Sequence, residues 1–376
     1  AAMLRSSAVK FSSRIARPRG EFSAVAMGAD AAGAARTGED GGGAAALRRF
    51  SWLGETVVVP RPEELEARLE RFRGAGVGSL QLIMDFDHTL TAFKLPDGRK
   101  CPQCHDIVKR SPMMPERFLR DYATLGTEMS RQLKLGQADF EAWWRQAHTL
   151  IKSNGMRREW IPEMLRHSEV RCRRGIRELF GSLQSHGVPV LIVSAGITDL
   201  IQETLAREGI ATTPSSSSSG QPGLPRILAN DFHFDEATGV LSSFTEPPMH
   251  QHAKASTGHR EAEYFKRIGR RNVILLGDSP HDCDPLVDIA GVEEAIRIGF
   301  YNKDRPDTSR ARYEEVYDVL LSNERMEGAE DLDLLPVLEL LRSVGVARPQ
   351  EQAQAPPEKR RRQEPAEARA QAMLVH

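Results

Sequence analysis

The sequence predicts an α/β protein, a doubly wound parallel sheet of the Rossmann-like kind with an inserted α-helical block. Three observations predict it. Apolar runs of strand length recur at Leu80 to Asp87, Val188 to Gly196 and Asn272 to Ser279. Each run ends in polar residues. Helical patterns separate the runs, as at Gly175 to His186 and Ile197 to Glu208. Near-continuous apolar strands are the mark of strands covered on both faces.

Taken in chain order, Pro60 to Gly74 reads as a helix, with Leu65, Leu69 and Phe72 on one face. The first apolar run, LQLIMDFD, follows. The next hundred or so residues show helical patterning and few β-branched side chains. Ala138 to Ser153 and Glu159 to Ser168 are the clearest helices there. A block inserted after the first strand stands over the carboxyl edge of the sheet, where such folds bind ligands. After the second and third runs, Ala295 to Phe300 and Val319 to Leu321 fit further strands. The expected boundaries are a core at 51–92 and 176–346, a helical cap at 93–175, and extensions at 1–50 and 347–376.

Composition narrows the function classes. The 376 residues carry a net charge of −1, which gives no electrostatic reason to expect a nucleic-acid or membrane-surface partner. No apolar run approaches the roughly 18–20 residues of a membrane span. Four cysteines in this length are no disulfide framework, so a reducing, cytoplasmic setting is expected. The first fifty residues are rich in Ala and Gly, and their start is Arg- and Ser-rich without acids, which reads as an organelle transit peptide or as an extension without a role. The tail from Pro349 lacks the apolar surface to order itself; its Lys359–Arg362 run reads as a solvated charge run or a nuclear address. Pro214 to Gly223, with five serines in a row, reads as a surface loop.

Four signals carry chemistry. Asp85 and Asp87 stand two residues apart at the end of the first run, so on an extended segment they point the same way. One carboxylate can attack phosphorus, and the other can protonate a leaving group and then activate water. The hydroxyl of Thr89 can orient one of them. Ser194 and Ala195 precede a helix, a seat for phosphate or an ordinary N-cap. Lys254 can hold phosphoryl oxygens. Asp278 stands at the close of the third run, with Asp282 and Asp284 just after it; beside Asp85 and Asp87, Asp278 would form a hard-oxygen magnesium site. Each signal alone has a bland reading, as a turn, a cap or an exposed charge.

Together, in this order, DxDxT, Ser, Lys and GDxxxD resemble the haloacid dehalogenase-like phosphatases. MDFDHTLTAF, KCPQCHDIV, SAGITDLIQETL, NDFHFDEATGVLSSF, AEYFKRIGRRNVILLGDSPHDCDPLVD and IRIGFYN resemble one family more closely, the cytosolic pyrimidine 5′-nucleotidases (5′-nucleotidase III, including the 7-methylguanylate-specific type). The resemblance covers about residues 80–322. It implies Asp85 as nucleophile and Asp87 as acid/base. It implies magnesium held by Asp85, the Asp87 carbonyl and Asp278, with Asp282 in support. It implies phosphate on Ser194 and Lys254, and a nucleoside monophosphate as substrate, with the cap choosing the base. A monomer is expected. The alternatives are a phosphatase of another small phosphomonoester and a non-catalytic nucleotide binder.

Three departures stand out. His281 replaces a glycine inside GDxxxD, the five-serine stretch is an insertion, and Ala142 in AWWRQAH stands where the family has a base-contacting Glu. Glu141 is one step out of register, about 100° around a helix. Trp143 and Trp144 can stack on a base, best on a cationic methylated purine, or can pack in the core. The Cys101 to His105 motif (CPQCH) is read as a structural segment leading into the cap rather than a haem or zinc site.

Overall fold

A computed structural model describes residues 50–54, 56–213, 224–287, 289–302, 309–324, 326 and 331–347. Residues 1–49 of the extension, the serine-rich stretch and the tail from residue 348 lie outside the described residues.

Nine strands are present among them: β1 (Val57–Val58), β2 (Leu80–Met84), β3 (Val190–Ile197), β4 (Arg226–Asn230), β5 (Phe232–Phe234), β6 (Leu241–Phe244), β7 (Asn272–Gly277), β8 (Glu294–Tyr301) and β9 (Val319–Ser322). Seven form one sheet in the order β1-β9-β8-β7-β2-β3-β4. All neighbours are parallel except β1, which pairs antiparallel with β9 at the edge. The α/β expectation therefore holds. The strand order reverses beside β2, and such a reversal opens a crevice at the carboxyl edge.

The helices are α1 (Pro62–Ala75), α2 (Cys104–Lys109), α3 (Glu116–Lys134), α4 (Phe140–Ser153), α5 (Ile161–Ser168), α6 (Ile176–Ser185), α7 (Thr198–Arg207), α8 (Thr257–Arg260), α9 (Ala262–Ile268), α10 (Arg310–Val316) and α11 (Leu335–Ser343). Local chemistry sets several of their ends. Pro62 opens α1 with Glu63 and Glu64 in the first turn, where free N–H groups favour acids. Asp139 caps α4 by accepting the Ala142 N–H at 2.9 Å. Among the described residues no helix is long and apolar enough to cross a membrane.

Alternate residues of the central strands feed two apolar layers. Leu82, Met84, Ile192, Ile274 and Leu276 pack with Leu65, Leu69 and Phe72 of α1. Ile83, Leu191, Val193, Val273 and Leu275 pack on the other face with Phe265, Tyr313 and Tyr317. Both faces are thus closed, which fixes β2, β3 and β7 as a rigid platform.

Helices α2–α5 all lie between β2 and β3 in the chain. The excursion leaves and returns side by side, where Thr91 bridges Cys172. The β5–β6 hairpin is a sheet of its own, and its Leu241 N–H reaches the Met156 carbonyl at 2.8 Å, next to α4.

Candidate active site

β2 stops at Met84, and the chain turns at once. The Asp85 N–H still reaches the Leu276 carbonyl of β7 at 3.0 Å. The Phe86 carbonyl then takes the N–H groups of Thr89, Leu90 and Thr91, and His88 adopts a left-handed backbone (φ 65°). β2 thus ends before Asp85, and Asp87 stands in the turn that follows, where the Asp85 charge still acts on it. Thr89 Oγ1 donates to Asp85 Oδ2 at 3.0 Å, while Asp87 takes the Cys104 N–H at 3.1 and 3.2 Å. The Cys101 to His105 segment thus holds Asp87 in place.

Ser194 lies two residues past Ile192, which is level with Met84 of β2. Its Oγ accepts the Gly196 N–H at 3.0 Å, and β3 is irregular here against β4. A Cβ on Gly196 would fall 2.7 Å from Cys104 Sγ, so only glycine lets the second strand end and the α2 segment meet. Asn230 ties this edge to the next segment. Its amide donates to the carbonyls of Ala195, Gly196 and Met249, and its oxygen accepts the Met249 N–H at 2.7 Å.

Met249 leads to Lys254, which is 4 % exposed. Lys254 Nζ lies 2.6 Å from Asp85 Oδ1 and 2.6 Å from Asp282 Oδ1. The other oxygen of Asp282 accepts the N–H groups of Asp278 and Ser279 at 2.9 and 2.8 Å. Gly277 makes room, since a Cβ there would overlap Asp282 at 2.3 Å. Asp85, Asp278 and Asp282 each bring an oxygen within 4.8 Å of the others, and all three are buried. Three buried carboxylates offer hard-oxygen donors, a set that fits an oxygen-seeking divalent cation. The Asp87 carboxylate is outside that group.

On the cap side, Trp143 donates its indole N–H to the Leu125 carbonyl at 3.2 Å and meets Tyr122 edge-on. That side chain joins α3 to α4. Trp144 stands 4.1 Å from His105, ring to ring, and His105 follows the residue that holds Asp87. Glu141 pairs with Arg145, which also grips Glu246.

A family model described as pyrimidine 5′-nucleotidase (UMPH-1) matches residues 88–334, about two thirds of the chain. The chain belongs to the pyrimidine 5′-nucleotidase family. A Gallus gallus relative named 7-methylguanosine phosphate-specific 5′-nucleotidase is 31 % identical over 74 % of this chain and 93 % of its own. The Homo sapiens protein of the same name is 29 % identical over 72 % and 88 %. A Caenorhabditis elegans relative named putative cytosolic 5′-nucleotidase 3 is 28 % identical over 71 % of each chain. The fold is that of a crystal structure of cytosolic 5′-nucleotidase IIIB bound to cytidine, with a TM-score of 0.65 at 21 % identity over 82 % of this chain and 98 % of that one.

In this 5′-nucleotidase, a phosphoric monoester hydrolase, burial sets the charge balance of the two aspartates at the end of β2. Burial raises Asp85 to about 7 against the pull of Lys254. Burial and the Asp85 charge raise Asp87 to about 7 as well. Burial opposes the charge on Lys254, but Asp282 and Asp85 outweigh it and hold its pKa above the usual lysine value. At 2.6 Å the lysine is an ammonium paired with two acids.

The nucleotidase has further supports that sequence reading did not find. Arg173 is fully buried and donates to the carbonyls of His88, Thr89 and Leu332 at 2.6, 3.0 and 2.7 Å. It pairs with Asp331 at 3.0 Å and lies over Phe300. Arg173 therefore clamps the backbone of the turn that carries Asp87. Such bonds join side chain to distant backbone and leave no local pattern to read. Asn230 had a signal, the NDFxFDExTG segment, but its three carbonyl partners become adjacent only in the fold.

Proposed function

We propose that this nucleotidase is a magnesium-dependent hydrolase of nucleoside 5′-monophosphates, either 7-methylguanylate or pyrimidine nucleotides, and that Asp85 is its nucleophile. The observation that carries the proposal is the Asp85 carboxylate. One oxygen meets Lys254, the other meets Thr89, and Asp278 and Asp282 lie within reach.

Asp85, the Asp87 carbonyl and Asp278, with Asp282 in support, would hold magnesium, which would supply positive charge to the phosphate. Lys254 offsets the phosphate charge from its side, and Ser194 with the N–H of Ala195 holds phosphoryl oxygens. Asp85 attacks phosphorus, and the bond to the 5′-oxygen breaks. Asp87, with a pKa raised to about 7, delivers its proton to that oxygen, and the nucleoside leaves. Asp87 then takes a proton from the water that attacks the aspartyl-phosphate. Phosphate leaves and Asp85 is restored.

The cap of the proposal is residues 93–175, with the β5–β6 hairpin packed on it. Trp144 beside His105 offers an indole face to the base, while Trp143 is committed to helix packing. A cationic methylated purine gains most from an indole. The Gallus gallus and Homo sapiens relatives are named for 7-methylguanosine phosphate, and the cytosolic name of the Caenorhabditis elegans relative supports a cytosolic setting.

A phosphate-release panel of cytidylate, uridylate, guanylate and 7-methylguanylate, with a sugar phosphate and phosphoserine beside them, tests the reading. Release from 7-methylguanylate or the pyrimidine nucleotides, abolished by excess EDTA and restored by magnesium, is expected. Unchanged release in EDTA contradicts the metal assignment. Preference for a sugar phosphate or phosphoserine contradicts the substrate class, and tight binding without release contradicts the chemistry.

A further inference from the structure

The loop after β7 carries Asp278, and its backbone is gripped from two sides. Asp282 takes the N–H groups of Asp278 and Ser279 at 2.9 and 2.8 Å. The carbonyls of the same two residues are taken by side chains of another segment. Tyr313 Oη donates to the Asp278 carbonyl at 2.6 Å, and Tyr317 Oη donates to the Ser279 carbonyl at 2.5 Å. Two successive residues thus have both backbone groups engaged by side chains, which fixes the direction in which the Asp278 side chain leaves the chain.

The two phenols are themselves held firmly. Tyr313 and Tyr317 stand four residues apart on α10 and just beyond it, with rings stacked at 5.8 Å. Both are buried, at 1 % and 0 % exposure. Gly299 of β8 leaves the space that Tyr317 fills, since a Cβ there would lie 2.6 Å from the ring. The next residue, Asp318, is pinned by Arg68 at 2.9 Å and by the Arg297 N–H at 2.9 Å. Rings serving apolar packing alone would do as well as phenylalanine. A buried phenol needs an acceptor, and both find theirs on one turn, the one bearing Asp278.

We infer that Tyr313 and Tyr317 are positioning residues: acting through the backbone of residues 278–279, they aim the Asp278 carboxylate at the cation and so set metal affinity. This rests on the metal reading given above. The chemistry of outer partners supports it, because groups that orient a ligand typically change metal affinity 10–100-fold when removed. Tyrosine to phenylalanine deletes the hydroxyl and keeps the ring, so the apolar layer stays filled.

The test measures Mn²⁺ binding by electron paramagnetic resonance, without nucleotide, on the wild type, Tyr313→Phe and Tyr317→Phe. Thermal melting and the nucleotide KM at saturating magnesium are measured beside it. The expected result is a dissociation constant for Mn²⁺ raised roughly tenfold in each variant, with a nucleotide KM within about twofold of wild type. The magnesium concentration for half-maximal activity shifts in step. Unchanged Mn²⁺ affinity in both variants overturns the inference, whether or not the melting temperature falls. A wild type that binds no Mn²⁺ overturns the metal reading and this inference with it, so the two failures are distinct.

Discussion

Lys254 Nζ lies 2.6 Å from a carboxylate oxygen of Asp85 and 2.6 Å from one of Asp282, so one ammonium bridges two buried acids from different strand ends. Removing it leaves two buried acids facing each other. Breaking a buried pair typically costs about 3–5 kcal/mol. Lys254→Met is therefore expected to lose stability of that order in urea unfolding, and to lose at least about a hundredfold in kcat. A variant as active and as stable as wild type contradicts the bridge.

Asp87 has a definite pH signature. Its pKa is raised from 3.8 to about 7, first by burial and then by the Asp85 charge. The folded state therefore binds this proton more tightly than the unfolded state. The resulting stability is complete below about pH 4 and is lost as the pH rises through about 7. Asp87→Asn is expected to melt higher than the metal-free wild type above pH 7, by about 2–6 °C, with the gap closing toward pH 4. On the acid/base role proposed for Asp87, its kcat falls about 10²–10⁴-fold. Parallel melting curves across that range contradict the assignment.

Gly196 and Cys104 form a contact that admits no extra atom. A Cβ on Gly196 would stand 2.7 Å from Cys104 Sγ, and the Cys104 N–H holds Asp87. Gly196→Ala is expected to lower kcat about tenfold or more, because a small displacement of a catalytic group is costly. Cys104→Ala in the same chain removes the sulfur and is expected to restore part of the loss. Steady-state kinetics on the single and double variants decide it; no recovery in the double variant contradicts the coupling.

Arg173 makes a prediction about stability. Its guanidinium serves three carbonyls and Asp331 with no exposure to solvent. Arg173→Met leaves those acceptors buried and is expected to cost about 3–5 kcal/mol in chemical unfolding. Arg173→Lys recovers little, since an ammonium cannot reproduce the planar fork. Wild-type stability in Arg173→Met contradicts the clamp.

The central strands were legible because burial on both faces leaves unbroken apolar runs, as in LQLIM and NVILL. The two-residue β1 is too short to show a pattern, and β4 (RILAN) is buried at only some positions and lacks a long apolar run. Asp85, Lys254, Asp278 and Asp282 were readable as types in order, and the fold brings their side chains together. What supports them was less legible. Asp87 depends on a backbone N–H of Cys104, its turn depends on Arg173, and the loop that bears Asp278 depends on the two tyrosines. Bonds of that kind link side chains to backbone across 35 or more residues or do not involve the partner's side chain at all, so residue types at a spacing do not encode them.

The most direct test of Asp85 as the nucleophile is an acid-quenched single turnover with ³²P-labelled nucleotide, followed by peptide mapping. Transient label on the peptide containing Asp85, absent in Asp85→Asn, is the predicted result. Label on another residue, or near wild-type turnover by a folded Asp85→Asn protein, would contradict the account.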